Sequence, residues 1–466
     1  MVTGLIVAAD PPTSLLPARW MMTVSLGSHI VLACFGVALP MMIWVVHRRA
    51  HRHDDAAALV LAKRWSKVAA VLFAVGAVSG TILSFEMGML WPELMGTYGD
   101  VIGMPFALEG IAFFVEAIFL GIYLYGWDRL PPLQHRMMLV PIAAAGVVGT
   151  FCIIAVNGWM NAPSGFRLEG GEVVDADPLA AMFNHAVWLQ FAHMWLAAVM
   201  LVGFTVAAVY AVGLLRGRDD RQHRIGFAVP FAFAAVAALF QPVTGHLAGM
   251  RVGNEQTSKL AAMELATETR REAPLVVGGV LADGEVRYGV EVPRLGSFFA
   301  RGGVGGEVTG LDAFASDERP DDGLATMVHW SFQLMVAIGV GLLVLGAAYW
   351  IARRRGHEWL GSRRFLWLAA AAGPASILAL ELGWVTTEVG RQPWIAHRVM
   401  RIDEAVTTGS GVWLALAALV AVYASMGVVA ILVLRSMARR WREGDAADLP
   451  TPYGPPPAVP GGEVAR

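Results

Sequence analysis

Eight ionisable side chains interrupt long apolar stretches of this 466-residue chain: His29, Glu86, Glu109, Glu116, His193, His246, Glu381 and Glu388. A charge at mid-membrane costs at least ~2.5–3.5 kcal/mol on insertion scales, so such groups are ordinarily functional. Glu109 and Glu116 are seven apart, which stacks them on one helix face. Two carboxyls so placed suit a proton relay. Pairing with buried bases is the alternative, and Lys and Arg are nearly absent from these stretches. Glu381 and Glu388 repeat the spacing, with Trp384 between them. His193 and Met335 each lie about a dozen residues into their stretch, roughly 16–18 Å deep at 1.5 Å per residue. A His and a Met at matched depth are a known axial pair for a low-spin haem. A His donating to a neighbouring helix and a Met filling the core fit the same spacing. His29 sits at a similar level, with a packed, hydrogen-bonded His as its alternative. Between Gly383 and Trp394, acid, base and indoles crowd a stretch boundary. There Arg391 is placed to neutralise Glu388 or hold a propionate, or to anchor an aromatic belt.

The elements that must position these groups follow from composition. The chain is 56% hydrophobic and 15% charged, against about 25% charged in soluble domains. Net charge is −2, which gives no electrostatic case for nucleic acid. A spanning helix needs roughly 20 mostly apolar residues. Nine stretches qualify, at about 20–46, 65–90, 104–126, 137–157, 181–215, 225–247, 324–352, 364–389 and 411–434. The expected fold is an all-α polytopic membrane protein with its helices in bundles. Lys and Arg gather after helices one, three, five, seven and nine, while 91–103 has none and 158–180 only Arg167. That bias puts the N-terminus outside and the C-terminus in the cytoplasm.

The N-terminal 18 residues lack a basic region, so no cleaved signal peptide is expected. Cys34 and Cys152 sit in apolar stretches without metal spacing and read as small core residues. Four regions result: helices one to six over 1–247, an extracytoplasmic loop over 248–323, helices seven to nine over 324–442, and a disordered cytoplasmic tail over 443–466. A loop so long is expected to be functional. Glu255 to Glu272 reads as an amphipathic helix, Val276 to Val292 as a hairpin turning at Asp283-Gly284, and the rest to Pro320 as Gly-rich. The tail is rich in Pro, Gly and Ala.

Gly390-Arg391-Gln392-Pro393-Trp394, preceded by Gly383-Trp384 and Glu388, resembles the signature of cytochrome bd oxidase subunit I, in its short quinol-loop subgroup. Glu109-Gly110 through Glu116 to Gly126-Trp127-Asp128-Arg129, the run Asn157 to Phe166, and Lys259 to Glu264 resemble further family segments in the same order. The likeness runs from Arg19 to about Trp441. It implies a quinol:oxygen oxidoreductase of the bacterial cytoplasmic membrane, reducing dioxygen with cytoplasmic protons and building a gradient without pumping. It implies His193 and Met335 as ligands of a low-spin haem b. His29 and Glu388 would be ligands at a high-spin haem b and a haem d (or third haem b). Glu109 would lie beside that site, with Glu109 and Glu116 on the proton path and Trp384 assisting electron transfer. Arg391 would hold a propionate, and Lys259 and Glu264 would bind quinol. The implied partners are the lipid bilayer and a second membrane subunit, with a small single-helix subunit as a further option. Gln333 stands where some members have Arg, and Ala162 where some have Asn. Two rivals carry other chemistry: a quinol-oxidising cytochrome relaying electrons to another partner, and a haem-free transporter. The first would lack His29, Glu109 or Glu388; the second predicts repeated halves, and no repeat is apparent.

Overall fold

The computed structural model describes residues 12–356 and 358–443. Among them are nine helices long and apolar enough to cross a membrane, as the composition requires. Helix one is Leu15–Arg52, helix two Ala56–Leu90, helix three Pro92–Tyr125 and helix four Leu139–Asn161. Helix five is Val187–Leu215, helix six Arg221–Glu255, helix seven Asp322–Arg354, helix eight Arg363–Val389 and helix nine Val412–Arg442. Each apolar stretch has its helix, but most helices run on into charged flanks. Hydropathy marks where a helix can meet lipid; hydrogen-bonded caps mark where it ends. Asp55, Asp220, Asp321 and Ser362 cap helices two, six, seven and eight through side-chain oxygens. Helix three starts at Pro92 and not near 104. Pro is well suited to the first helical turn, and Leu94, Tyr98, Val101 and Ile102 bury that turn against Trp159 and Ile395.

Helices one to four pack together, helices five to eight form a second bundle, and helix one joins the two through helix five. Helix nine lies outside, against helices one and two. Small residues set the closest approaches. A side chain at Gly203 of helix five would meet the Pro230 carbonyl of helix six at 2.6 Å.

The two ends of the bundle differ. At one end, Ser14 donates to the Thr407 carbonyl, Thr407 N–H to that of Leu90, and His397 N–H to that of Met160. This end carries the long loop. At the other, Asp55 in the turn after helix one accepts from Arg49 and from Arg221 of helix six. These contacts pull Asp55 down to about 2, the hydrogen bond from Arg221 first.

The loop departs from expectation at its first helix. Its amphipathic helix covers only Thr257–Glu264 and not the stretch to Glu272. Leu265 takes a left-handed conformation at φ 48°, Ala266 N–H closes back on the Ala261 carbonyl, and Arg270–Arg271 pairs with Glu307–Val308 as a strand. The hairpin is present. Val280–Ala282 pairs with Glu285–Arg287 around Asp283 and Gly284, both at positive φ, the requirement of a tight two-residue turn. Leu275–Val277 pairs with Val290–Val292 beyond it. The first eleven residues, which bear on the signal-peptide reading, and the tail from 444, read as disordered, lie outside the described residues.

Candidate active site within the bundle

A cavity of about 850 Å³ lies among helices one to four and reaches the end of helix eight. His29, Glu109, Glu116, Trp384, Glu388 and Arg391 all line it. Six of the ten candidate site residues, from three helices and the segment after helix eight, thus share one space. Glu116 packs on the bare backbone of helix one, where a side chain at Gly36 would meet its Oε1 at 2.9 Å.

His29 is held in a defined tautomer. Its Nδ1 lies 2.9 Å from Ser79 Oγ of helix two. The Ser79 hydroxyl spends its own proton on the Gly76 carbonyl, at 2.9 Å. Ser79 Oγ can therefore only accept, so Nδ1 carries the proton and Nε2 keeps its lone pair. The same device recurs in the second bundle. His193 Nδ1 is 3.1 Å from Thr244 Oγ1 of helix six, and Thr244 donates to the Gln241 carbonyl at 3.0 Å. His193 Nε2 again keeps its lone pair, which here accepts from the Gln241 amide at 3.2 Å. Ligating histidines are characteristically fixed through their other nitrogen in this way. Met335 of helix seven sits against helix eight, where a side chain at Gly383 would meet its sulfur at 3.1 Å. His193, Met335, Lys259 and Glu264 do not line the large cavity.

Lys259 and Glu264 lie on the short loop helix, both buried. Lys259 is joined to the cavity by a polar chain that spacing alone does not foretell. Its Nζ donates to Asn161 Oδ1 at 2.7 Å, Asn161 to Asn157 Oδ1 at 3.0 Å, and Asn157 to Glu388 Oε1 at 2.5 Å. Arg391 donates to the other Glu388 oxygen at 2.5 Å, and Gln256 adds a 3.0 Å bond to Asn161. The four-residue interval from Asn157 to Asn161 was the available signal, since it puts both amides on one helix face.

Positive charge accumulates at this end of the cavity. Burial, then Arg391, lower Lys259 to about 7 despite the opposing pull of Glu388. Burial, then Lys259, Arg398 and Arg391, lower His397 to about 4. Arg391 is 4% exposed, yet its Nε and Nη1 have no partner among the described residues. Two buried donors on one cation call for an anion, and haem propionates fit that demand. Glu264 is pushed up to about 7 by burial, and its Oε2 is also unpartnered.

The loop hairpin is fastened to helix seven by side chains. His329, wholly buried, contacts the Met263 carbonyl at 2.8 Å and the Gly278 carbonyl at 3.0 Å. Trp330 donates to the Gly279 carbonyl at 2.8 Å. Gln333 donates to the Val276 carbonyl at 2.5 Å and accepts from Gly278 N–H at 2.8 Å. Gln333, noted above only as a departure, is thus a structural clamp. Of the remaining intramembrane acids and bases, Glu86 is buried beside Ser25 of helix one, Glu381 faces Gly27 of helix one, and His246 lies edge-on to Phe299.

Comparison with known proteins gives these sites a context. The sequence profile described as cytochrome bd terminal oxidase subunit I matches residues 17–442. A Bacillus subtilis (strain 168) protein named putative cytochrome bd menaquinol oxidase subunit I is 33% identical over 428 residues, covering 90% of this chain and 95% of that one. The cytochrome bd ubiquinol oxidase subunit 1 of the same strain is 27% identical over 413 residues, covering 85% and 88%. The solved structure of bd oxidase from Geobacillus thermodenitrificans superposes with a TM-score of 0.87 at 36% identity, covering 93% of this chain and all of that one. The profile takes in all nine helices, the loop helix and the cavity alike, and the chain therefore belongs to the cytochrome bd terminal oxidase subunit I family, membrane-embedded subunits of respiratory quinol oxidases.

Proposed function

We propose that this chain is the haem-bearing subunit that oxidises membrane quinol at the loop-bearing face and reduces dioxygen to water with protons drawn from the opposite face. The observation that carries this reading is the cavity shared by His29, Glu109, Glu116, Trp384, Glu388 and Arg391. Haem, when bound, supplies one-electron transfer and an iron face open to dioxygen. His193 and Met335 would hold a low-spin haem b. His29 and Glu388 would each hold a high-spin group in the cavity, one haem b and the other haem d or a third b. Arg391 would take a propionate on its two free donors.

The chain's own residues supply the rest. Lys259 orients a quinol oxygen and Glu264 Oε2 receives its proton. Glu116 and Glu109, on one face of helix three, hold protons bound for the cavity. With the Arg-rich end in the cytoplasm, protons are released on one side and consumed from the other, which builds a gradient without a pump. Several cavity residues, Phe114 and Trp20 among them, are also exposed on the flank of the bundle. A second membrane subunit on that flank would close the cavity against lipid.

A reduced-minus-oxidised absorption spectrum of the purified complex, with and without carbon monoxide, tests the assignment. Low-spin haem together with CO-responsive high-spin haem is expected; a low-spin haem silent to CO overturns the oxygen-reducing reading. The bond from His29 Nδ1 to Ser79 carries a finer expectation. Ser79→Ala frees His29 Nδ1, and loss of such a supporting partner typically costs ~10–100-fold in affinity or activity. The CO-responsive signal should broaden and oxidase turnover fall by roughly that range, with the low-spin band unchanged.

A further inference from the structure

At the end of the bundle opposite the loop lies a second cavity, of about 630 Å³, between the ends of helices one, six and seven. Its rim carries Arg49, Arg221, Arg224 and Arg353. Two carboxylates oppose them: Asp55, held by Arg49 and Arg221, and Asp219, held by Arg224. Four cations against two anions leave a surplus of positive charge. Among the described residues, no partner meets Nη1 of Arg49, Arg221 or Arg224. The floor is of another character. Ile225, Val229 and Phe233 of helix six and Trp350 of helix seven make it apolar. From Arg221 to Phe233 the helix rises about 18 Å at 1.5 Å per residue. Val236 and Phe240 continue the same face, 44% and 57% exposed, onto the outer surface of the bundle.

We propose that this cavity is a binding site for an anionic phospholipid, its phosphodiester on the arginine rim and an acyl chain along the helix-six face. Guanidinium groups match phosphate oxygens in charge and in planar, two-point geometry. Basic pockets between spanning helices at a membrane boundary are suited to lipid headgroups. The apolar floor decides between sources. A free phosphate would use the rim and leave the floor without a function; a lipid uses both.

Native mass spectrometry of the intact oxidase, offered phosphatidylglycerol or phosphatidylcholine of matched chains, tests the site. Phosphatidylglycerol should be retained roughly tenfold better, the factor that about 1.4 kcal/mol gives. An excess of inorganic phosphate should not displace it. Arg224→Gln with Arg353→Gln spares both bonds to Asp55, so the fold-holding contact survives. That pair should lose the preference, while Arg435→Gln with Arg439→Gln on helix nine, removing equal charge, should keep it. Equal retention of the two lipids overturns the proposal. So does equal loss in both variants, which would mean diffuse charge, or full displacement by phosphate, which would mean an anion site only. An unchanged haem spectrum in each variant certifies the fold.

Discussion

His193→Ala will remove the low-spin haem signal and lower quinol oxidation by more than about 100-fold, while the CO-responsive haem stays. The expectation rests on separation. His193 belongs to the second bundle, fixed by Thr244 and facing Gln241 of helix six, whereas His29, Glu109 and Glu388 line a cavity from which His193 is absent. Removing the imidazole would delete one proposed axial ligand and leave the large cavity's walls in place. A side-chain loss that merely loosened the fold would reduce both signals together. Thr244→Val is the companion: it keeps the ligand but removes the acceptor of Nδ1–H. A residual low-spin signal with a shifted potential and a fall of ~10–100-fold is expected there. If His193→Ala retains a normal low-spin spectrum, another residue ligates that haem and the His193/Met335 assignment is wrong. Both measurements need only the purified complex, a dithionite-reduced spectrum and a quinol assay.

The bundle was legible because lipid imposes one rule on every span. Twenty apolar residues in sequence, without regard to neighbours, are enough to mark a helix. Capped ends were less legible, since Asp55 and Asp220 act through single hydrogen bonds. The cavity was partly legible. Glu109 and Glu116 share a helix, so their seven-residue spacing declares a common face. The residues that tune the site were not. Ser79 is fifty positions from His29, and Thr244 fifty-one from His193. Their hydroxyls are as ordinary in sequence as any helical Ser or Thr, and only the packing of two helices gives them a role. The chain from Lys259 through Asn161 and Asn157 to Glu388 crosses three elements for the same reason.

The clamp between loop and helix seven links these levels. His329, Trp330 and Gln333 hold the hairpin backbone, and Met335 follows two residues after Gln333 on the same helix. His329 lies within hydrogen-bond reach of both the Met263 and the Gly278 carbonyl, so one ring ties the loop helix and the hairpin to helix seven. Lys259 and Glu264, on the helix whose Met263 carbonyl His329 contacts, are thereby held in register with helix seven, which carries Met335. The loop is a built element of the bundle and not an appended flap.

Glu264→Gln should lower kcat/KM for quinol by about 100-fold or more, the usual contribution of a positioned general base, and should remove the acid limb of its pH profile. Burial holds Glu264 near 7, so its carboxylate, the form that accepts a proton, is depleted as pH falls below neutrality. Wild-type kcat/KM should therefore drop tenfold per pH unit on that side. Lys259, also near 7, loses its charge above neutrality and should set the alkaline limb, which the variant keeps. Stability runs the other way and so separates mechanism from damage. A carboxyl whose folded pKa lies above its unfolded value stabilises fully below the unfolded value, and that contribution is lost as pH rises through about 7. At pH 8 the wild type carries a buried carboxylate whose Oε2 has no partner among the described residues, and Gln carries no charge there. Glu264→Gln should accordingly unfold at the same or a higher temperature than wild type at pH 8, despite its lost activity. An inactive variant that is also less stable there would assign Glu264 to the fold; an active one with an intact acid limb would move proton acceptance to another group.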